Sequence, residues 1–170
     1  EFFGSREPYL PLASRPDVLV FQTEQLHQDV EVTGPISVKL WISSSTVDTD
    51  FTAKLIDVYP TSVDYPEGYA LNLTDGILRV KFRNSWEQME FMVPGEVYQV
   101  ELTLLPVSNL FLKGHRIRLD ISSSNFPRFD VNGNTGQNPG TSAIRVTATN
   151  SVFHDSDRPS HVLLPVIPIQ

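Results

Sequence analysis

Helical periodicity is almost absent from this chain, and that absence constrains the fold more than any other feature. Short runs of alternating or fully apolar, β-branched residues recur about every dozen residues, separated by clusters of Gly, Pro, Asn and Asp. The runs are 18–23, 30–33, 36–43, 51–59, 69–74, 77–83, 97–105, 115–122, 143–153 and 161–167. So many short strands predict an all-β fold, and a sandwich of mostly antiparallel sheets in preference to a small barrel.

The period of two assigns faces. Ile36, Val38, Leu40 and Ile42 share one side of their run, opposite Ser37, Lys39, Trp41 and Ser43, and are expected in the core. Tyr98, Val100, Leu102 and Leu104 alternate in the same way with Gln99, Glu101 and Thr103, as do His115, Ile117, Leu119 and Ile121 with Arg116, Arg118 and Asp120. The run from Phe51 to Tyr59 is apolar on both sides. It suits either a central strand or one whose outer face another domain covers. Turns are signalled at Thr33-Gly34-Pro35, Thr74-Asp75-Gly76, Val93-Pro94-Gly95 and Lys113-Gly114. Two longer connections, 64–68 and 122–140, stand out, and the Asn, Gly and Pro content of the second forbids a regular strand.

Composition closes off several functions. The 170 residues include 20 acidic and 13 basic side chains, a formal charge of −7 with no basic tail, which argues against nucleic acid or an anionic membrane as partner. The absence of cysteine excludes disulfides, thiolate zinc sites and cysteine nucleophiles, while leaving the compartment open. The longest apolar run, Val162 to Val166, is far short of the ~20 residues that span a bilayer, so a soluble domain is expected, with the cytoplasm as its default location. Length fits one domain over 15–170, with 1–14 as a lead-in. Glu1 in place of Met suggests a processed product or part of something longer.

Candidate chemistry is sparse. A serine hydrolase elbow of the form G-x-S-x-G is missing, and its nearest match, Gly140-Thr141-Ser142-Ala143-Ile144, lacks the second Gly and leads into a strand. Ser160 and His161 are adjacent, which on a strand points them to opposite faces. His27, His115, His154 and His161 have no metal-ligand spacing. Asp130, Asn132 and Asn134 alternate as a calcium loop begins, but Thr135 stands where Gly is required and Thr141 where a bidentate Glu would close the site; an Asx-rich turn is the competing reading. Trp41, beside Lys39, and Trp86 offer either a sugar platform or one side of a protein contact. Arg79, Lys81 and Arg83 form a basic row, solvated or docking. No cofactor is expected.

Several ordered motifs together carry a resemblance. They are Arg15-Pro16-Asp17-Val18-Leu19-Val20-Phe21, Val30-Glu31-Val32-Thr33-Gly34-Pro35, Ser43-Ser44-Ser45-Thr46-Val47-Asp48-Thr49-Asp50-Phe51-Thr52-Ala53-Lys54-Leu55, Asp75-Gly76-Ile77-Leu78-Arg79, Ser122-Ser123-Ser124-Asn125-Phe126-Pro127-Arg128-Phe129-Asp130 and Pro159-Ser160-His161-Val162-Leu163-Leu164-Pro165. In these the chain resembles the C-terminal domain of the X-Pro dipeptidyl-peptidase and cocaine-esterase (CocE/NonD) family of serine hydrolases. The resemblance implies a jelly-roll, galactose-binding-like β-sandwich that packs on an α/β-hydrolase domain and helps wall its substrate cleft. It implies no catalytic residue here, because the triad belongs to the hydrolase portion. The expected partner is that α/β-hydrolase domain in the same polypeptide, with a homodimer as a further possibility. Trp41, Asp48, Asp50, Phe51, Asn125 and Phe126 are the residues expected at the interdomain contact. The alternative is a free-standing sandwich that binds carbohydrate or peptide.

Overall fold

The computed structural model describes residues 12–138 and 143–168. Residues 1–11 of the lead-in, and the Ser142 candidate, lie outside them. The strands are β1 (Val18–Gln22), β2 (Val30–Ser44), β3 (Asp50–Tyr59), β4 (Tyr69–Arg79), β5 (Tyr98–Phe111), β6 (Arg116–Ser122), β7 (Asn150–Phe153), β8 (His161–Leu163) and β9 (Val166–Ile167). Among the described residues they form two antiparallel sheets. One has the order β1-β6-β3-β4; in the other, β2 pairs with β5 along one edge and with β7, β8 and β9 along the other.

The inward rows are the ones that alternation assigns. Val32, Ile36, Val38 and Ile42 of β2 are wholly buried, facing Phe51, Ala53 and Leu55 of β3 and Leu119 and Ile121 of β6. Each such aliphatic side chain contributes about 1.5–3 kcal/mol relative to exposure. No helix among the described residues is long and apolar enough to cross a membrane.

Two expected turns are strand interiors. The runs 30–33 and 36–43 are one strand, β2, and Thr33-Gly34-Pro35 is a bulge in it: the register with β5 shifts between Gly34 and Ile36. Gly34 has φ +140°, and a Cβ there would lie 3.0 Å from Pro165 Cγ. The bulge accommodates Pro35, which has no ladder donor. Likewise 69–74 and 77–79 are one strand, β4. Gly76 is needed for close approach and not for turning, since a Cβ would stand 2.7 Å from Leu104 Cδ2 of β5. The sequence signal, Asp-Gly, is the same in both situations. The continuation 80–82 is a 3₁₀ turn, so Arg79, Lys81 and Arg83 share no strand face. Of the run 143–153 only β7 is regular, and 161–167 divides at Leu164-Pro165.

β3 lies between β6 and β4, and its first eight residues are buried on both faces. Part of the outer cover comes from the chain itself. The long connection after β6 folds back across the sheet, and its side chains meet those of β3 and β4 there.

Candidate functional site

The outer face of the four-stranded sheet concentrates the polar chemistry. Because Phe51, Ala53 and Leu55 point into the core, Asp50, Thr52, Lys54 and Ile56 point out. Their cross-strand partners are Arg79, Ile77, Asp75 and Asn72 on β4, and Ser122, Asp120 and Arg118 opposite Thr52, Lys54 and Ile56 on β6. Charged residues therefore occupy positions from which solvent is nearly excluded: Asp50, Lys54, Asp75, Arg118 and Asp120 are all buried.

At one end of this face the charges form a closed network. Asp50 accepts from Arg79, Nε to Oδ1 at 2.9 Å and Nη2 to Oδ2 at 3.0 Å. Asn132, from the connection after β6, donates its Nδ2 to Asp50 Oδ1 at 2.7 Å and to Asp48 Oδ2 at 3.1 Å. Asp48 Oδ1 also accepts from the backbone N–H of Lys81 at 3.1 Å, and Lys81 Nζ lies 3.6 Å from Asp48 Oδ2. The same ammonium donates to the carbonyls of Gly136 and Gln137 at 3.1 and 3.4 Å. Burial pushes the Asp50 carboxyl above its ordinary range, and outweighs the opposing pull of Arg79 and Asn132. The Asp50 carboxylate in turn holds the Arg79 guanidinium above its usual value.

Four residues on, the arrangement changes. Arg118 grips Asp120 with two hydrogen bonds, Nε to Oδ1 at 2.8 Å and Nη2 to Oδ2 at 2.7 Å. Asp75 is held by Asn125 Nδ2 at 3.1 Å and by Arg128, whose Nε lies 2.7 Å from Oδ1 as a charge contact without hydrogen-bond alignment. Lys54 stands between Asp75 and Asp120 in register, yet both carboxylates are engaged elsewhere. Among the described residues the Lys54 ammonium has neither an ion pair nor a hydrogen bond, although the residue is only 7% exposed. It lines a cleft of about 460 Å³ with Asn72, Asp75, Leu105, Pro106 and Arg128.

The residues expected at an interdomain contact separate into groups. Phe51 is 2% exposed and belongs to the core; Asp48 and Asp50, at 0% and 1%, are internal to the closed network. None of these presents surface, because the strand start that carries them is sealed by the connection after β6. Asn125 is buried against Asp75, whereas its neighbour Phe126 is 71% exposed. Trp41 is half-buried on the outer face of the other sheet, opposite Gln99 and Phe153. Trp41 and Phe126 thus belong to opposite faces of the sandwich. Trp86, in the connection before β5, is exposed and shares no strand with Trp41.

The other candidates have structural partners. Asn132 Oδ1 accepts from Asn134 N at 2.9 Å, Asn134 Nδ2 donates to Val146 O at 2.8 Å, and Asp130 Oδ1 lies 3.4 Å from Arg79. Asn132 and Asn134 thus build an Asx turn, with Asn134 at φ +60°, while Asp130 faces Arg79. Ser160 Oγ accepts from the Trp41 N–H at 2.8 Å, and His161 Nδ1 lies 2.7 Å from Pro159 O, so the two side chains serve the backbone separately. His115 is buried against Asp57 at 2.8 Å. Arg79 and Lys81 are taken up by Asp50 and Asp48, and Arg83 by Glu90, which leaves no free basic row there. Sequence reasoning missed Lys54 and Arg128. A signal existed for the first: a charge, one of two with Asp57, inside a run read as apolar on both sides.

Comparison with known proteins adds a family-level finding. Residues 3–163 match the family described as the X-Pro dipeptidyl-peptidase C-terminal non-catalytic domain. Cocaine esterase of Rhodococcus sp. (strain MB1 Bresler) is 45% identical over 159 residues, which cover 92% of this chain and 27% of that protein. A putative serine esterase of Mycobacterium bovis is 30% identical over 135 residues, covering 67% of this chain and 20% of that protein. Among solved structures, an aminopeptidase from a marine sediment Thaumarchaeota archaeon superposes with a TM-score of 0.87 at 31% identity, over 99% of this chain and 28% of that one. An α-amino acid ester hydrolase superposes with a TM-score of 0.87 at 30% identity, over 98% of this chain and 28% of that one. The chain spans about a quarter of the length of these relatives.

Proposed function

Because the chain belongs to the family of X-Pro dipeptidyl-peptidase C-terminal non-catalytic domains, we propose that it serves as the accessory β-sandwich of a serine hydrolase. In this reading it packs on an α/β-hydrolase domain and helps wall the cleft in which an ester or amide of a small acyl compound is cleaved. The observation that carries the proposal is the match over 3–163 to a domain described as non-catalytic, within relatives whose names are those of esterases and an aminopeptidase. The site geometry is in keeping with it. Ser160, a nucleophile candidate within the described residues, accepts a backbone hydrogen bond and has no contact with a general base. Phe126 and Trp41 remain the candidate contact residues with accessible surface, one on each face.

A fluorophosphonate probe followed by intact-mass analysis tests the reading, since an activated serine reports itself covalently whatever its substrate. The expected result is no adduct on this chain. A chimera in which the chain replaces the matching segment of the 45% identical cocaine esterase is expected to fold and to label stoichiometrically. An adduct on the isolated chain, or a chimera that neither folds nor labels, would overturn the proposal.

A further inference from the structure

Lys54 is a feature of the outer face that contacts among the described residues do not explain. Its aliphatic stem is buried, the residue being 7% exposed, while the ammonium opens on the cleft without a protein acceptor among the described residues; a cation so enclosed by protein is normally paired. Both neighbouring carboxylates are already committed, Asp120 to Arg118 and Asp75 to Arg128 and Asn125. The row therefore contains Lys54, Arg118 and Arg128 against Asp75 and Asp120, 3 − 2 = +1, in a chain whose overall charge is −7. The excess charge faces a cleft of about 460 Å³. Arg128 stands at its edge with its side chain 36% exposed.

We propose that Lys54 and Arg128 form a carboxylate-recognition site on the outer face of the four-stranded sheet, and that its occupant is an acidic side chain of the hydrolase domain on which this chain docks. The inference rests on the accessory-domain reading above, and it names the face and the chemistry of the contact. A single carboxylate matches the surplus of one positive charge, whereas a dianion such as phosphate would also meet Asp75 and Asp120. Leu71, Leu105 and Pro106 give the cleft an apolar wall suited to the methylene stem of a side chain. Asn72 lines the same cleft, with Oδ1 buried and without a donor among the described residues. Docking then completes the pairing that folding leaves open.

The test uses the isolated chain and the cocaine-esterase chimera side by side. Reaction of Lys54 with an amine-specific acylating ester, read by peptide mass, is expected to be roughly tenfold or more slower in the chimera, as for a charge buried in an interface. Lys54→Met and Arg128→Gln are expected to lower the temperature at which the chimera loses esterase activity, while Lys54→Met leaves the melting temperature of the isolated chain unchanged or higher. That opposition of sign separates a docking role from a structural one. A folded, active chimera in which Lys54 is acylated as fast as in the isolated chain would sink the inference and leave the accessory-domain reading intact. So would a Lys54→Met effect that is the same in both. A parent chimera that fails to assemble removes both together.

Discussion

Two polar clusters lie on one face of one sheet, four residues apart on β3, and they differ in whether the chain closes them. Around Asp50 the connection after β6 supplies Asn132 and the carbonyls of Gly136 and Gln137, so that Asp48, Asp50, Arg79 and Lys81 all have partners within the domain. Around Lys54, among the described residues, the same connection supplies Asn125 and Arg128, which engage Asp75 and leave the ammonium without a protein partner. The first arrangement is what a self-sufficient fold needs, since removing any member strands a buried charge. The second is incomplete within the domain, and an incomplete charge pairing is a place for another protein surface to contribute.

The contrast can be broken at its closed end with the largest effect. Asp48→Ala leaves Lys81, 1% exposed, with carbonyl acceptors alone and deprives its backbone N–H of a partner. A loss of about 3–5 kcal/mol is expected, on the scale of other broken buried pairs, and urea or thermal melts measure it. Asn132→Ala removes the carboxamide that bridges the two aspartates, with an expected cost of about 1–3 kcal/mol. Faster amide hydrogen exchange at Asn134 and Gly136 would show that the bridge also orders the connection. At the open end the expectation reverses. Lys54→Met in the isolated chain is expected to be neutral or to raise stability by up to about 1 kcal/mol, because it removes a largely enclosed charge without orphaning a partner. A loss comparable to that of Asp48→Ala would place Lys54 in the structural class and erase the comparison.

The smallest effect is a pH dependence. The ordinary carboxyl value for Asp50 is 3.8, and burial raises it in the folded chain. The folded state then holds this proton more tightly than the unfolded state, so the contribution of Asp50 to stability is fully present below pH 3.8 and is lost as pH rises through the higher folded value. The carboxyl carbon of Asp50, followed by NMR, is expected to titrate above the exposed aspartates. Asp155 is a suitable reference, since the Arg158 hydrogen bond holds its carboxyl below the ordinary value.

Most of the sandwich was legible in the residues because strand formation is a local matter. Alternation at 36–42 and 98–104 identified core rows that are buried as expected, whereas the two-sided run from Phe51 left a central strand and one covered by another domain both open, and the structure places it inside its sheet. The misread positions, Gly34 and Gly76, share a cause: a glycine required by a bulge or by close packing has the same sequence signature as one required by a turn. The contact residues were harder. Asp48 and Asp50 are expected at an interdomain contact, and only their distant partners reveal that they are internal to this domain.

The sequence by itself determined an all-β chain with its inward rows, most of its strands, the long connection after β6 and the family to which these motifs point. Only the tertiary structure decided which charges are satisfied. Asp50 meets Arg79 from 29 positions away, Asp48 meets Asn132 from 84 positions away, and Asp75 meets Asn125 from 50. The physical reason is that side-chain period and turn chemistry act between neighbours, whereas the pairing of a buried charge depends on which remote segment the fold lays over it.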